Sequence, residues 1–132
     1  MSFLLDTDIC SAHFKGDRQV WQKAMQHGGQ LNISAITVGE LSTWASRQGV
    51  SAKRRQVLKD FLKIVNVLDV AQIVGEKIEK IRAAMIDTGQ RPPDFDLLIA
   101  ATALVHNLTL VTHNTKDFTN IAGLRLDDWI VP

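Results

Sequence analysis

Apolar residues in this chain alternate between short runs of strand length and longer stretches with helical spacing. The opening run Ser2-Phe3-Leu4-Leu5 is continuous, as in a strand buried on both faces. Leu31-Asn32-Ile33, Val67-Leu68-Asp69-Val70 and Thr109-Leu110-Val111-Thr112 share that character, and Leu124-Arg125-Leu126 is a candidate fifth strand. Helices are expected from Asp6-Thr7-Asp8 to about Lys15, from Gly16-Asp17 to Gly28-Gly29, and from about Ala35 to Gln48. The second of these places Val20, Trp21, Ala24 and Met25 on one face. Ser51 caps the next, in which Val57, Leu58, Phe61, Leu62 and Val65 follow helical spacing. Val74, Ile78, Ile81 and Met85 step by four, three and four residues, an amphipathic helix. Pro92-Pro93 interrupts the chain and Asp94 restarts it. Leu97 to Leu108 is then apolar on nearly every side, as in a helix that is buried or packs a partner.

Strands that alternate with helices argue an α/β protein, a three-layer α/β/α sandwich around a short, mostly parallel sheet. In such sheets, sites form beyond the carboxyl ends of the strands. The 132 residues suit a single domain spanning 1–132. With 45% hydrophobic residues and a net charge of +1, the chain is no disordered segment. The longest near-apolar run, Leu97 to Val105, falls short of the ~20 residues of a membrane span, and no secretion signal opens the chain. A cytoplasmic protein with no membrane partner is therefore expected. Cys10, the single cysteine, excludes an internal disulfide and a cysteine-based zinc site, and reads as a small buried hydrophobe. The four histidines lack ligand spacing.

The chemistry lies in the acids at element boundaries. Asp6 follows the first strand, Glu40 lies in the helix after the second, Asp96 opens the apolar helix, and Asp117 follows the fourth strand. Each has a structural alternative. Asp6 and Asp8 suit a helix cap, and Thr37-Val38-Gly39-Glu40 fits a capping box. Asp94 and Asp96 complement a helix dipole, and Asn114 with Asp117 fits a cap and first-turn acid. Clustered, the four would repel one another unless a cation neutralised them, and oxygen ligands of this hardness favour Mg²⁺ or Mn²⁺.

Four blocks carry a resemblance. Leu5-Asp6-Thr7-Asp8-Ile9, Ile33 to Leu41, Asp94 to Leu104 and Leu110 to Phe118 stand in the order found in PIN domains. They are similar above all to the VapC toxins of VapBC toxin–antitoxin pairs, and the ending Gly123 to Trp129 fits as well. One departure is Asp8, where the family usually carries Asn.

The resemblance implies a Mg²⁺-dependent endoribonuclease (Mn²⁺ as the alternative ion), with Asp6 and Asp96 as the main metal ligands and Glu40 and Asp117 completing the acidic pocket. Water would attack the phosphodiester in line, leaving 5′-phosphate and 3′-hydroxyl ends, with transfer RNA as the default substrate. A VapB-type antitoxin whose tail crosses the active-site groove, and a homodimer, are the implied partners. Thr112 and Asn114 stand where they could orient an acid or a water, and His113 is a substrate contact or a solvated loop residue. Arg47, Lys53, Arg54, Arg55, Lys59 and Lys63 face only Asp60 in charge, and Arg55, Lys59 and Lys63 form one helical stripe. That stripe is a candidate RNA track or a plain solvated face. Trp44 is a base-stacking candidate or a core residue.

Other readings differ in what they need. Asp6-Thr7-Asp8 also matches the Asp-x-Asp of haloacid-dehalogenase-like phosphatases, but Cys10 stands where a threonine is expected and no cap region is available. A response-regulator receiver would need a phosphoacceptor that Asp69 does not convincingly supply. A catalytically silent PIN module that binds RNA or a partner fits the fold, but not the retention of all four acids.

Overall fold

The structure is a computed structural model and describes residues 1–130. The last two positions of the expected 1–132 span lie outside the described residues. In chain order the elements are β1 (Phe3–Leu5), α1 (Thr7–Phe14), α2 (Arg18–Gln26), β2 (Leu31–Ser34), α3 (Ala35–Ser46) and α4 (Ala52–Ile64). There follow β3 (Asn66–Leu68), α5 (Gln72–Asp87), α6 (Asp94–Val105), β4 (Thr109–Val111) and β5 (Leu126–Asp127), with a 3-10 turn over Thr115–Asp117.

The five strands form one parallel sheet in the order β3-β2-β1-β4-β5. β1 lies at its centre, with Phe3 opposite both Leu31 and Thr109. Its three side chains are all buried because helices cover both faces. Phe3 and Leu5 join a core built from Ile9, Val20, Leu41, Leu58 and Phe61 of α1 to α4. Leu4, on the opposite face, packs with Met85, Leu97, Ile99 and Ala103 of α5 and α6. This is the expected three-layer sandwich.

The departures are local. β5 falls at Leu126–Asp127 rather than Leu124–Leu126, because the ladder pairs Leu110 with Leu126 and Val111 with Asp127. β3 is an edge strand with Asn66 and Val67 exposed. On α2 the expected apolar face divides: Val20 and Ala24 are buried, whereas Trp21 and Met25 remain half exposed. Val57 of α4 is likewise exposed, while Leu58 and Phe61 carry the packing. Cys10 is wholly buried, and burial drives its thiol strongly upward, so it stays protonated and inert.

Candidate active site

Parallel strands bring their carboxyl ends to one edge, and the acids meet there. Asp6, immediately after β1, caps α1: its Oδ1 accepts the Thr7 N–H at 2.8 Å. Its Oδ2 accepts the Thr112 hydroxyl at 3.0 Å, from the end of the adjacent β4. Thr112 also accepts the Asn114 N–H at 3.2 Å, so one hydroxyl joins the first acid to the loop after β4. The cap reading of Asp6 and the site reading are therefore compatible.

Glu40 does not belong to a capping box. Ser34 caps α3 by accepting the Ile36 N–H at 3.1 Å, which places Glu40 in the second turn with its carboxylate free. Oε1 of Glu40 instead accepts the Thr7 hydroxyl at 2.8 Å. Thr7 lies 3.3 Å from the buried Thr37 hydroxyl, so two threonines hold the acid across α1 and α3. Asp96 stands in the first turn of α6, where the helix dipole favours it, at partial burial. Pro93 ends the extended approach to that helix. Asn114 makes no side-chain cap to the 3-10 turn.

Asp6, Thr7, Asp8, Glu40, Asp96 and Asn114 line one cleft of about 350 Å³, closed on a further side by Pro93, Phe95 and Ile99. Asp117, exposed on its 3-10 turn, stands outside that lining but near enough for its charge to act on Asp96. The sequence reading thus named three acids that line this cleft, Asp6, Glu40 and Asp96, and a fourth, Asp117, that stands outside its lining. Missing from it were Thr7, whose hydroxyl holds Glu40, and Phe95; no spacing rule singles out either. Asp8 also belongs here: Oδ2 accepts the His113 N–H at 3.0 Å, and Oδ1 is buried without a partner among the described residues.

The electrostatics match the crowding. Burial pushes Asp6 up, and the charge of Glu40 adds to it, against the opposing hydrogen bonds from Thr7 and Thr112. Asp8 is raised by burial and by Asp6. Asp96 is raised by burial, then by Asp117 and Asp6. Carboxylates that resist ionisation together are those a cation would relieve.

Among the described residues, no three His, Cys, Asp or Glu side chains are arranged to enclose an ion by themselves. The small divalent cations do not need such a cage, since they are held through one or two carboxylates and keep their waters. Asp6 and Asp96 on one cleft, with the unpaired Oδ1 of Asp8 beside them, fit an ion of that kind.

The chain belongs to the PIN-domain family. The family model matches residues 3–124, which takes in all four acids. This PIN domain is 31% identical over 130 residues, 98% of each chain, to a protein of Shigella flexneri named tRNA(fMet)-specific endonuclease VapC. It is 28% identical to Ribonuclease VapC2 of Haemophilus influenzae, over 98% of this chain and 99% of the relative. The DNA-bound VapBC structure from Salmonella typhimurium superposes with a TM-score of 0.89 at 28% identity, covering 98% of each chain. VapBC2 of Rickettsia felis, bound to a fragment of its promoter, gives 0.88 at 27% identity, over 98% and 99%. The resemblance read from the four blocks is therefore correct, and the phosphatase alternative is not favoured. Both oxygens of Asp6 already accept hydrogen bonds, which suits a fixed ligand better than an attacking group.

A second groove, of about 670 Å³, shares Thr7 and Glu40 with the cleft and runs on between α1, α3 and α4. Phe14, Leu41, Trp44 and Val57 form its apolar walls, with Lys15 and Arg54 as its basic residues. Trp44 is neither core nor free: it is partly buried, stacked at 15° and 6.1 Å on Phe14. His113 is not simply solvated, since its Nδ1 lies 3.0 Å from Oδ2 of Asp128. No helix is long and apolar enough to cross a membrane among the described residues.

Proposed function

We propose that this protein is the toxin of a type II toxin–antitoxin pair: a divalent-metal-dependent endoribonuclease, acting through one PIN domain over residues 1–132, neutralised by a VapB-type antitoxin. The observation that carries this is the convergence of Asp6, Glu40 and Asp96 on one cleft, within a chain that matches VapC ribonucleases along almost its whole length.

Asp6 and Asp96 would hold the ion, Mg²⁺ by preference and Mn²⁺ as substitute. When bound, it supplies activation of water and neutralises charge on the phosphate. The protein's own contribution is position. Thr7 N–H and Thr112 fix both oxygens of Asp6, and the Thr7 hydroxyl fixes Glu40. Glu40 and Asp117 complete the acidic pocket. Water, not a ribose hydroxyl, is the attacking group, so the products end in 5′-phosphate and 3′-hydroxyl, and no histidine pair is needed.

The groove over Phe14 and Trp44 suits the antitoxin's tail, which would block Glu40 while lying on apolar side chains. Transfer RNA as substrate, a homodimer and a cytoplasmic location complete the reading. The test is direct. Purified protein degrades transfer RNA with Mg²⁺ or Mn²⁺, and EDTA stops it. Asp6→Asn and Asp96→Asn each abolish cleavage with the circular dichroism spectrum unchanged; cleavage retained in both would remove these acids from their roles.

A further inference from the structure

At 63%, Phe95 is the most exposed large apolar side chain of the described residues apart from Met1, and it lies at the acid cleft. It is the second residue of α6, adjacent to Asp96, and the helix start that carries it is held from two sides. Pro92-Pro93 fixes the approach, and Arg82 of α5 pairs with Asp94 at 2.9 Å. Ile99, one turn on, is 4% exposed and lines the same cleft, so the helix offers an anchored apolar base beneath a bare ring. A phenyl ring that belonged to the core would turn inward with Leu97 and Ile99; this one stays in water beside a carboxylate.

An aromatic face exposed beside acids is poorly suited to an anionic backbone and well suited to the flat, uncharged face of a base. We infer that Phe95 is a substrate-binding residue on which one base of an unpaired RNA segment stacks, next to the phosphate being cut. Stacking of this kind tolerates any base but requires that the base be free of a duplex. Phe95 thereby selects unpaired nucleotides at the cleft and fixes the strand across Asp96, while the acids perform the chemistry. The inference rests on the ribonuclease reading above.

Steady-state cleavage of transfer RNA by Phe95→Ala, Phe95→Leu and Phe95→Trp tests it. The expected result is a KM raised about tenfold in Phe95→Ala with kcat little changed. Phe95→Trp restores the KM and Phe95→Leu, apolar but without a flat ring, does not. Because the side chain is exposed, all three variants melt as the parent does. An RNA with an abasic nucleotide beside the mapped cut loses the same factor with the parent protein and nothing more with Phe95→Ala. An unchanged KM in Phe95→Ala, or Phe95→Leu equal to the parent, overturns the assignment. So does a Phe95→Ala protein that keeps its RNA affinity but loses its hold on the co-expressed inhibitor. If the parent cuts no RNA, the ribonuclease reading fails separately. Phe95 is then judged by anisotropy of a labelled unstructured 12-nucleotide RNA, where equal binding by parent and Phe95→Ala overturns it.

Discussion

The Thr112 hydroxyl donates a 3.0 Å hydrogen bond to Oδ2 of Asp6, joining the ends of two adjacent strands that lie 106 residues apart in the chain. Thr112 is wholly buried, so nothing from solvent replaces it. Its bond opposes the burial that drives Asp6 toward the neutral form.

Thr112→Val removes that donor at nearly constant volume. RNA cleavage should fall by roughly 10- to 100-fold, the range seen when a group that orients a metal ligand is lost. Stability should fall by about 1 kcal/mol. Thr112→Ser, which keeps the hydroxyl, should recover most of the rate. Initial rates at saturating Mn²⁺ and a thermal melt separate the two effects.

The raised carboxylates set a pH dependence. Asp6, Asp8 and Asp96 bind protons more tightly in the fold than at their ordinary value of 3.8. Between 3.8 and the raised values the folded chain holds protons the unfolded chain has released, so stability is lost as pH rises through that window. In EDTA at pH 7, Asp6→Asn should therefore melt above the parent, and the gap should close as pH falls toward 3.8. With metal present, the ion competes with protons for the carboxylates, so the acid limb of activity should move to lower pH as the metal concentration is raised. A melting gap that widens on acidification would contradict this sign.

Asp8 shows where sequence reading stopped. The four blocks located the acids, because strand ends and helix starts are fixed by apolar runs and by Pro92-Pro93. They did not say what Asp8 does, since its partner, the His113 N–H, comes from the loop after β4, 105 residues away. Glu40 was ambiguous for the opposite reason: a local capping pattern competes with a distant hydroxyl, and Ser34 wins the cap because it is the last residue of β2, directly before α3. The division of α2 into buried Val20 and Ala24 and exposed Trp21 and Met25 was hidden too, because period alone does not tell how wide a stripe the core accepts.

Asp8→Asn keeps an acceptor for His113 and removes a like charge from beside Asp6. The metal-free protein should gain about 3 °C in melting temperature, the effect of ~1 kcal/mol in a domain of this length. Most cleavage activity should remain, because Asn keeps the acceptor for the His113 N–H and leaves Asp6 and Asp96 in place. A large loss of rate with unaltered melting would instead put the Asp8 carboxylate on the ion.

The basic face of α4 divides in the same manner as α2. Arg54 shares a helical face with Val57, Leu58 and Phe61, and lines the groove that runs into the acid cleft. Arg55 is drawn aside, donating to the Val50 carbonyl at 2.6 Å, and Lys59 and Lys63 continue its stripe away from the groove lining. A single-stranded phosphate chain loses about 0.7 in the slope of log affinity against log salt for each contact removed. Arg54→Ala should show that loss, and Lys59→Ala and Lys63→Ala should show little. Anisotropy titrations of a labelled unstructured RNA from 50 to 200 mM salt, on the order used to resolve such slopes, compare the three. The reverse ranking would move the RNA track onto the Arg55 stripe and leave the groove to the antitoxin alone.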